Sequence, residues 1–311
     1  MKILHTILSL SCLLLLQACS ASNHPTQVSS LGTPSSFTAM EALIDQPGPI
    51  TITRVVSADW SVPLAGLLNL DSPQARQAQL KDKDEAIQIF TDLLKHPQRG
   101  HYLIDTGVSA QLLQDPAKFG VNWMLRKGMQ LEKMQLKTST ASVLEQLPKA
   151  LSGVFLTHLH LDHISGLPDI AKTAPIYVGM NETTESYWLN MIVRPATDEL
   201  LANRPPLQEW AFNAANLSSS SRPVVDIFGD GSIFAIAVPG HTKGSTAYLV
   251  RSTQGPVLIV GDTSHTKWGW EQGVEPGDYT RDHASNLESL RSLKELVARH
   301  PAIEVRLGHQ H

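Results

Sequence analysis

Residues 157–166 read THLHLDHISG, which sets three histidines and an aspartate (His158, His160, Asp162 and His163) within six consecutive positions. The apolar run Val154-Phe155-Leu156 comes just before them and reads as a strand. In extended backbone, side chains two apart project to the same side, so His158 and His160 point together. Asp162 and His163 then fall in the turn out of the strand and face a second point. Imidazole and carboxylate are ordinary zinc ligands where cysteine is absent. One extended strand end followed by one turn can therefore serve two metals a few ångströms apart.

Cysteine is not among the competing ligands. The chain has only two, against 13 histidines, and both (Cys12 and Cys19) lie near its start. There Met1-Lys2 is followed by ILHTILSLSCLLLLQAC, a basic start and an apolar stretch too short for a membrane span but right for a signal-peptide core. Leu16-Gln17-Ala18-Cys19 resembles the bacterial lipobox. That resemblance implies a lipoprotein signal peptide over 1–18 and a lipid anchor at Cys19. With Ser20 next, it implies an outer-membrane address in the cell envelope, facing the periplasm. Residues 20–38 are rich in Ser, Pro and Thr without an apolar period, so 19–38 is expected to be a disordered tether. With no thiol beyond Cys19, the remaining fold must rest on packing and metal.

The rest reads as one catalytic domain over 39–311. Hydrophobic content of 42% and charged content of 17% are globular values. A net charge of −4 supplies no basic stripe, which excludes nucleic acid and leaves a small-molecule substrate. Strands are expected over Ile50–Val56, His101–Ile104, Ile233–Val238, Thr246–Val250, Val257–Val260 and Ile303–Leu307. A helix is expected over Ser285–Arg299, opened by the capping box Ser285-x-x-Glu288. The segment WMLRKGMQLEKM, residues 123–134, suits a packed helix or a methionine-rich lid. Residues 57–99 carry no motif.

His158-x-His160-x-Asp162-His163 resembles the signature of the metallo-β-lactamase superfamily. The resemblance implies an α+β fold, a four-layer αββα sandwich with its metals at one edge of the sheets. Further pieces follow in the family's order: Asp105 in LIDTG, His241 in VPGHTKGSTAYLV, Asp262 in LIVGDTS and His309 in VRLGHQH. Carried over, His158, His160 and His241 would hold one Zn2+, and Asp162, His163 and His309 a second. Asp262 and a hydroxide would be shared, with Asp105 bracing the metal loop. His311 is a second choice to His309.

Two zinc ions holding a hydroxide imply hydrolysis without a serine or cysteine nucleophile. From residue 261 onward the chain is most similar to the N-acyl-homoserine-lactone lactonases, which carry Asp-x-x-Tyr where this chain has Asp262-x-x-His265. His265 is therefore the expected proton donor, with Asp162 the other catalytic candidate, acting on a lactone or related ester. The alternatives are an envelope β-lactamase, a thioester hydrolase, and a non-catalytic metal-binding surface lipoprotein. Trp268, Trp270 and Lys243 either line the pocket or belong to the core rim and surface.

Overall fold

Alternation along the strands sorts the apolar residues into layers. In Gly100–Ile104, Leu103 faces one core while Tyr102 and Ile104 face another. In Ile233–Ala237, Ile233 and Ala235 join that second core while Phe234 and Ile236 turn to a third. Two sheets therefore share a central core and each covers its outer face with helices, the four-layer αββα sandwich expected from the sequence. Phe155, Tyr102, Tyr177, Trp210 and Tyr248 fill the centre, with Phe155 stacked on Tyr102 at 4.8 Å between ring centroids.

The structure is a computed structural model and describes residues 20–187, 189–213 and 222–311. The signal peptide and Cys19 lie outside the described residues. Among the described residues, no helix is long and apolar enough to cross a membrane. The strands are β1 (Thr26–Val28), β2 (Thr33–Ser35), β3 (Thr51–Pro63), β4 (Asp84–His96), β5 (Gly100–Ile104), β6 (Gln135–Leu136) and β7 (Gly153–Phe155). They continue as β8 (Ile176–Val178), β9 (Leu207–Glu209), β10 (Val224–Asp226), β11 (Ile233–Ala237), β12 (Thr246–Ser252), β13 (Gly255–Gly261) and β14 (Glu304–Leu307). One sheet runs β1-β9-β8-β7-β5-β4-β3-β6 and the other β14-β13-β12-β11-β10-β2.

Two parallel pairings bear on the site. β5 runs beside β7, with Ile104 opposite Phe155, so Asp105 and Thr157 emerge from the same end. β13 runs beside β14, with Gly261 opposite Leu307, so Asp262 and Gly308-His309 emerge together from the facing sheet. Parallel neighbours share their C-terminal ends, which is where loops gather into a site.

The disordered tether is corrected over residues 20–38. β1 adds in parallel to β9, β2 pairs antiparallel with β10, and the helix Phe37–Ile44 buries Phe37, Met40 and Ile44 on the second sheet. Polar strands three residues long show no apolar period, but each supplies backbone bonds to a sheet edge. The capping box is corrected as well. The last long helix is His283–Arg299, and its cap is Asp282, which accepts from the Ser285 amide at 3.0 Å and from its hydroxyl at 2.8 Å.

The segment 57–99 becomes a long hairpin. β3 and β4 pair along their length, interrupted by one irregularity between Val56 and Ala58, with the short helices Leu64–Leu67 and Pro73–Gln77 at the tip. In residues 123–134, a one-turn-and-a-half helix, Trp123–Gly128, leaves Trp123 exposed and tucks Leu125 inside, while Met129 and Met134 pack against the core. Trp268 packs on the cluster under the hairpin, Trp270 on the cluster under the last helix, and Lys243 is exposed.

Candidate metal centre

His158 and His160 leave the end of β7 in extended backbone, and Asp162 and His163 occupy the one-turn helix Leu161–Ile164. The loop after β11 carries His241, β13 ends into Asp262, and β14 ends into His309. The sequence-expected ligands thus converge from both sheets into two groups. His158, His160, His241 and Asp262 form one, and Asp162, His163, His309 and Asp262 the other; within each, one ligand atom per residue lies within 4.8 Å of all the rest.

Asp262 is the common member. Its Oδ2 lies 3.3 Å from Nε2 of both His163 and His309, 3.4 Å from that of His241 and 3.7 Å from that of His158. Its Oδ1 is buried with no hydrogen-bond partner, and so is Nε2 of His163. Buried polar atoms are rarely left so, and an imidazole nitrogen and a carboxylate without partners in such a cluster are what a cation would satisfy.

Charge divides the site. Burial, followed by neighbouring imidazoles, holds His158 and His241 well below the usual histidine range. Burial likewise lowers His160 to about 4. These three rings are neutral, as ligands must be, and Nε2 of His241 lies 3.2 Å from Nε2 of His158 and 2.9 Å from Nδ1 of His160. Burial also opposes charge on His163 and His309, but Asp262 outweighs it, with Asp105 and Asp162 helping at His163 and Asp162 at His309, and both are raised. Asp262 is held well below the carboxylate range despite its burial, chiefly by His309, His163 and His265. A carboxylate-rich pocket that draws protons onto histidine draws a divalent cation in their place.

Three of the rings, those of His163, His241 and His309, are fixed from behind. Asp105 accepts from the Thr157 amide at 2.8 Å and the Thr157 hydroxyl at 2.9 Å, and takes the Nδ1–H of His163 at 2.8 Å. Its backbone is left-handed (φ 53°), which aspartate tolerates better than most residues. Nδ1 of His241 lies 3.2 Å from the Thr280 hydroxyl, and the His309 Nδ1–H donates to the Gln88 carbonyl at 3.0 Å. Such partners set which nitrogen faces the metal.

His265 has the same construction. It is buried, its Nδ1–H donates to the Leu67 carbonyl at 3.0 Å, and its Nε2 lies 3.0 Å from Oδ2 of Asp262. The sequence pointed to it as a proton donor; the structure sets it against the shared carboxylate, with the hairpin tip behind it. His311 is outside the cluster, its exposed ring edge-on to Phe90 at 4.8 Å.

Sequence reasoning missed the partners that hold the ligands. Gln88 and Leu67 act through backbone carbonyls, Thr280 is an isolated hydroxyl, and Glu182 lies in the turn after β8 with no motif around it. Its buried carboxyl accepts from the Leu159 amide at 2.7 Å, the Thr242 hydroxyl at 2.7 Å and the Gly244 amide at 2.9 Å. No linear signal marks such a residue.

A four-layer αββα sandwich with a paired His/Asp cluster at the strand ends defines a metallohydrolase architecture. The family comparison agrees: residues 93–309 match the metallo-beta-lactamase superfamily. The chain belongs to that superfamily and is a hydrolytic enzyme of it. It is 26% identical over 253 residues to the N-acyl homoserine lactonase AttM of Azorhizobium caulinodans, covering 79% of this chain and 90% of that one. Among solved structures, a quorum-quenching N-acyl homoserine lactone lactonase superposes with TM-score 0.60 at 17% identity, covering 86% of this chain and 94% of that one. AidC, a dizinc quorum-quenching lactonase, superposes with TM-score 0.53 at 16% identity, covering 91% and 92%.

Proposed function

We propose that this protein is a two-zinc hydrolase that opens a lactone or a closely related ester. The observation that carries the reading is the pair of His/Asp groups sharing Asp262. His158, His160 and His241 would hold one ion, and Asp162, His163 and His309 the other, with Asp262 between them. When bound, such ions supply a hydroxide near pH 7 (about 7 for zinc-bound water) and polarise a carbonyl oxygen.

The chain's own residues supply the rest. Asp262 and Asp162 set the charge of the pocket, and Asp105, Gln88 and Thr280 keep the rings in orientation. Where the lactonases place a phenol, His265 offers an imidazole. Its Nδ1–H is committed to Leu67, so Nε2 is the atom that holds or passes a proton to the leaving oxygen. The similarity to AttM across most of both chains supports the lactone over the β-lactam.

Metal analysis tests the first half of the reading. About two equivalents of zinc per chain are expected after gentle purification, and fewer than about one sinks it. A panel of acyl-homoserine lactones, a chromogenic cephalosporin, a thioester and a phosphodiester tests the second, with turnover expected on the lactones. Turnover confined to the cephalosporin favours an envelope β-lactamase, and none on any, with metal bound, a binding lipoprotein.

We also propose that Cys19 carries a lipid anchoring the protein in the bacterial cell envelope. Ser20, the first described residue, bridges to Ser186, so an anchor at Cys19 would sit directly against the catalytic domain. Cys19→Ser is expected to move the protein from the membrane fraction to the soluble one, and retention on the membrane would overturn the anchor.

A further inference from the structure

Asp105 holds the His163 side of the site directly and reaches the other side through the Thr157 hydroxyl, which lies 3.1 Å from Nδ1 of His158. The ligands His158, His160 and His241 arrive on two separate loops that share no strand pairing. The first is the extended segment 158–160, where the ring of each histidine points inward and the Leu159 amide turns the other way. The second is the loop Gly240–Gly244. The backbone joins them at their margin, where the Thr246 amide donates to the Thr157 carbonyl at 2.9 Å, but the Leu159 and Gly244 amides, buried in irregular structure, still need acceptors.

Glu182 fills that gap. One carboxylate oxygen, Oε1, takes the Leu159 amide at 2.7 Å, midway between His158 and His160. The other, Oε2, takes the Thr242 hydroxyl at 2.7 Å and the Gly244 amide at 2.9 Å, on the residues that follow His241. Thr242 is itself tied to Ser245, amide to hydroxyl at 2.9 Å, so the grip extends through the loop. The side chain is 1% exposed. Gly244 admits it: a Cβ at 244 would lie 2.7 Å from Cβ and 2.8 Å from Oε2 of Glu182. A carboxylate is the one side chain with acceptor capacity for three such donors at two oxygens.

We propose that Glu182 is a positioning residue for the His158/His160/His241 metal site, tying its two ligand loops together, as Asp105 positions His163 in the other site. The inference rests on the two-metal reading but not on any substrate. Glu182 grips only the His158/His160/His241 loops, so its loss should act unequally on the two sites, although Asp262 belongs to both. Glu182→Gln keeps the acceptor for Leu159, but its amide N–H then opposes the Gly244 N–H, donor against donor. Glu182→Ala leaves both amides without a partner.

The experiment is zinc and cobalt(II) titration of the purified wild type, Glu182→Gln, Glu182→Ala and Asp105→Asn, with amide hydrogen exchange read at Leu159 and Gly244. Wild type binding two equivalents establishes the reading on which the inference stands; failure there removes that reading, not the role of Glu182 alone. Given two, the Glu182 variants are expected to weaken one equivalent by about 10- to 100-fold and the other less. Their cobalt spectrum is expected to change at that equivalent, and exchange at Leu159 and Gly244 to quicken in metal-free protein. Asp105→Asn is expected to weaken chiefly the opposite equivalent.

Wild-type affinity at both sites in Glu182→Gln, or equal weakening of both, overturns the proposal. Should neither Glu182 variant fold, Thr242→Val removes one of the three bonds and leaves the carboxylate in place. It is expected to weaken the same equivalent by a smaller factor, and unchanged affinity there overturns the proposal.

Discussion

The Gln88 carbonyl accepts from Nδ1–H of His309 at 3.0 Å, and the Gln88 amide donates to the His309 carbonyl at 2.9 Å. A residue from the motif-free hairpin thereby fixes a proposed metal ligand 221 positions away in sequence. The neighbouring contacts reinforce it. Asp92 bridges Arg54 at 3.0 Å and Arg306 at 2.6 Å, and Arg54 also donates to the Leu307 carbonyl at 3.2 Å.

Removing that bridge should loosen the last strand. In Asp92→Asn two largely buried guanidinium groups lose their counter-charge, and breaking such an arrangement costs about 3–5 kcal/mol. Urea unfolding measures the loss, and metal titration should show weakening at the His309 site. A variant as stable as wild type would refute the anchoring role.

Gly308 is expected to refuse any side chain. A Cβ at that position would collide with Oδ1 of Asp262 and come within 2.9 Å of the Gly261 carbonyl, both of them backbone or ligand atoms with little room to yield. Gly308→Ala should cost about 1–3 kcal/mol of stability in a urea titration. It should also reduce metal affinity, because Asp262 must shift to accommodate it.

His265→Ala should lower kcat by about 10²- to 10⁴-fold while both zinc equivalents remain, as expected for a proton-transfer group. Loss of a zinc equivalent in that variant would instead make His265 a ligand, a role its Nε2 at 3.0 Å from Asp262 also permits.

Burial pushes the Glu182 carboxyl up to about 7 from an ordinary value of 4.5, against the pull of Thr242, Leu159 and Gly244. Between those values the folded protein keeps a proton that the unfolded chain has released. Stability of the metal-free protein should therefore be greatest below about pH 4.5 as far as this group is concerned, and fall as pH rises through about 7, by on the order of 3 kcal/mol. Comparing denaturant midpoints of wild type and Glu182→Gln across pH isolates the contribution, since glutamine cannot titrate. Identical pH profiles would show that burial does not raise the Glu182 carboxyl in the folded protein.

Chelation should destabilise the protein. Metal that binds only the folded state adds about 2.7 kcal/mol at a hundredfold excess over its Kd. Thermal scans with and without chelator should differ in Tm, and restored zinc should return it. An unchanged Tm would mean that the clustered rings hold no ion.

The sequence displayed the ligands because their spacing is local. A strand end followed by a turn brings His158, His160, Asp162 and His163 together whatever the rest of the chain does. His241, Asp262 and His309 each follow a strand and a glycine-containing turn, so they too were legible, as was the order of the later strands. The short apolar runs of β5, β11, β12 and β13, set off by glycine and proline, likewise read as strands.

The short edge strands β1 and β2 left no mark, because they are held by backbone bonds to distant elements and not by their own apolar pattern. The same limit applies at the site. Which residues can bind a metal is a property of side-chain chemistry, and the sequence determined it alone. Which nitrogen of each ring faces the ion, and what keeps it there, was decided only by the tertiary structure. The partners Gln88, Leu67, Thr280 and Glu182 are assigned by proximity across the fold, and a backbone carbonyl or a lone buried carboxylate carries no linear signature.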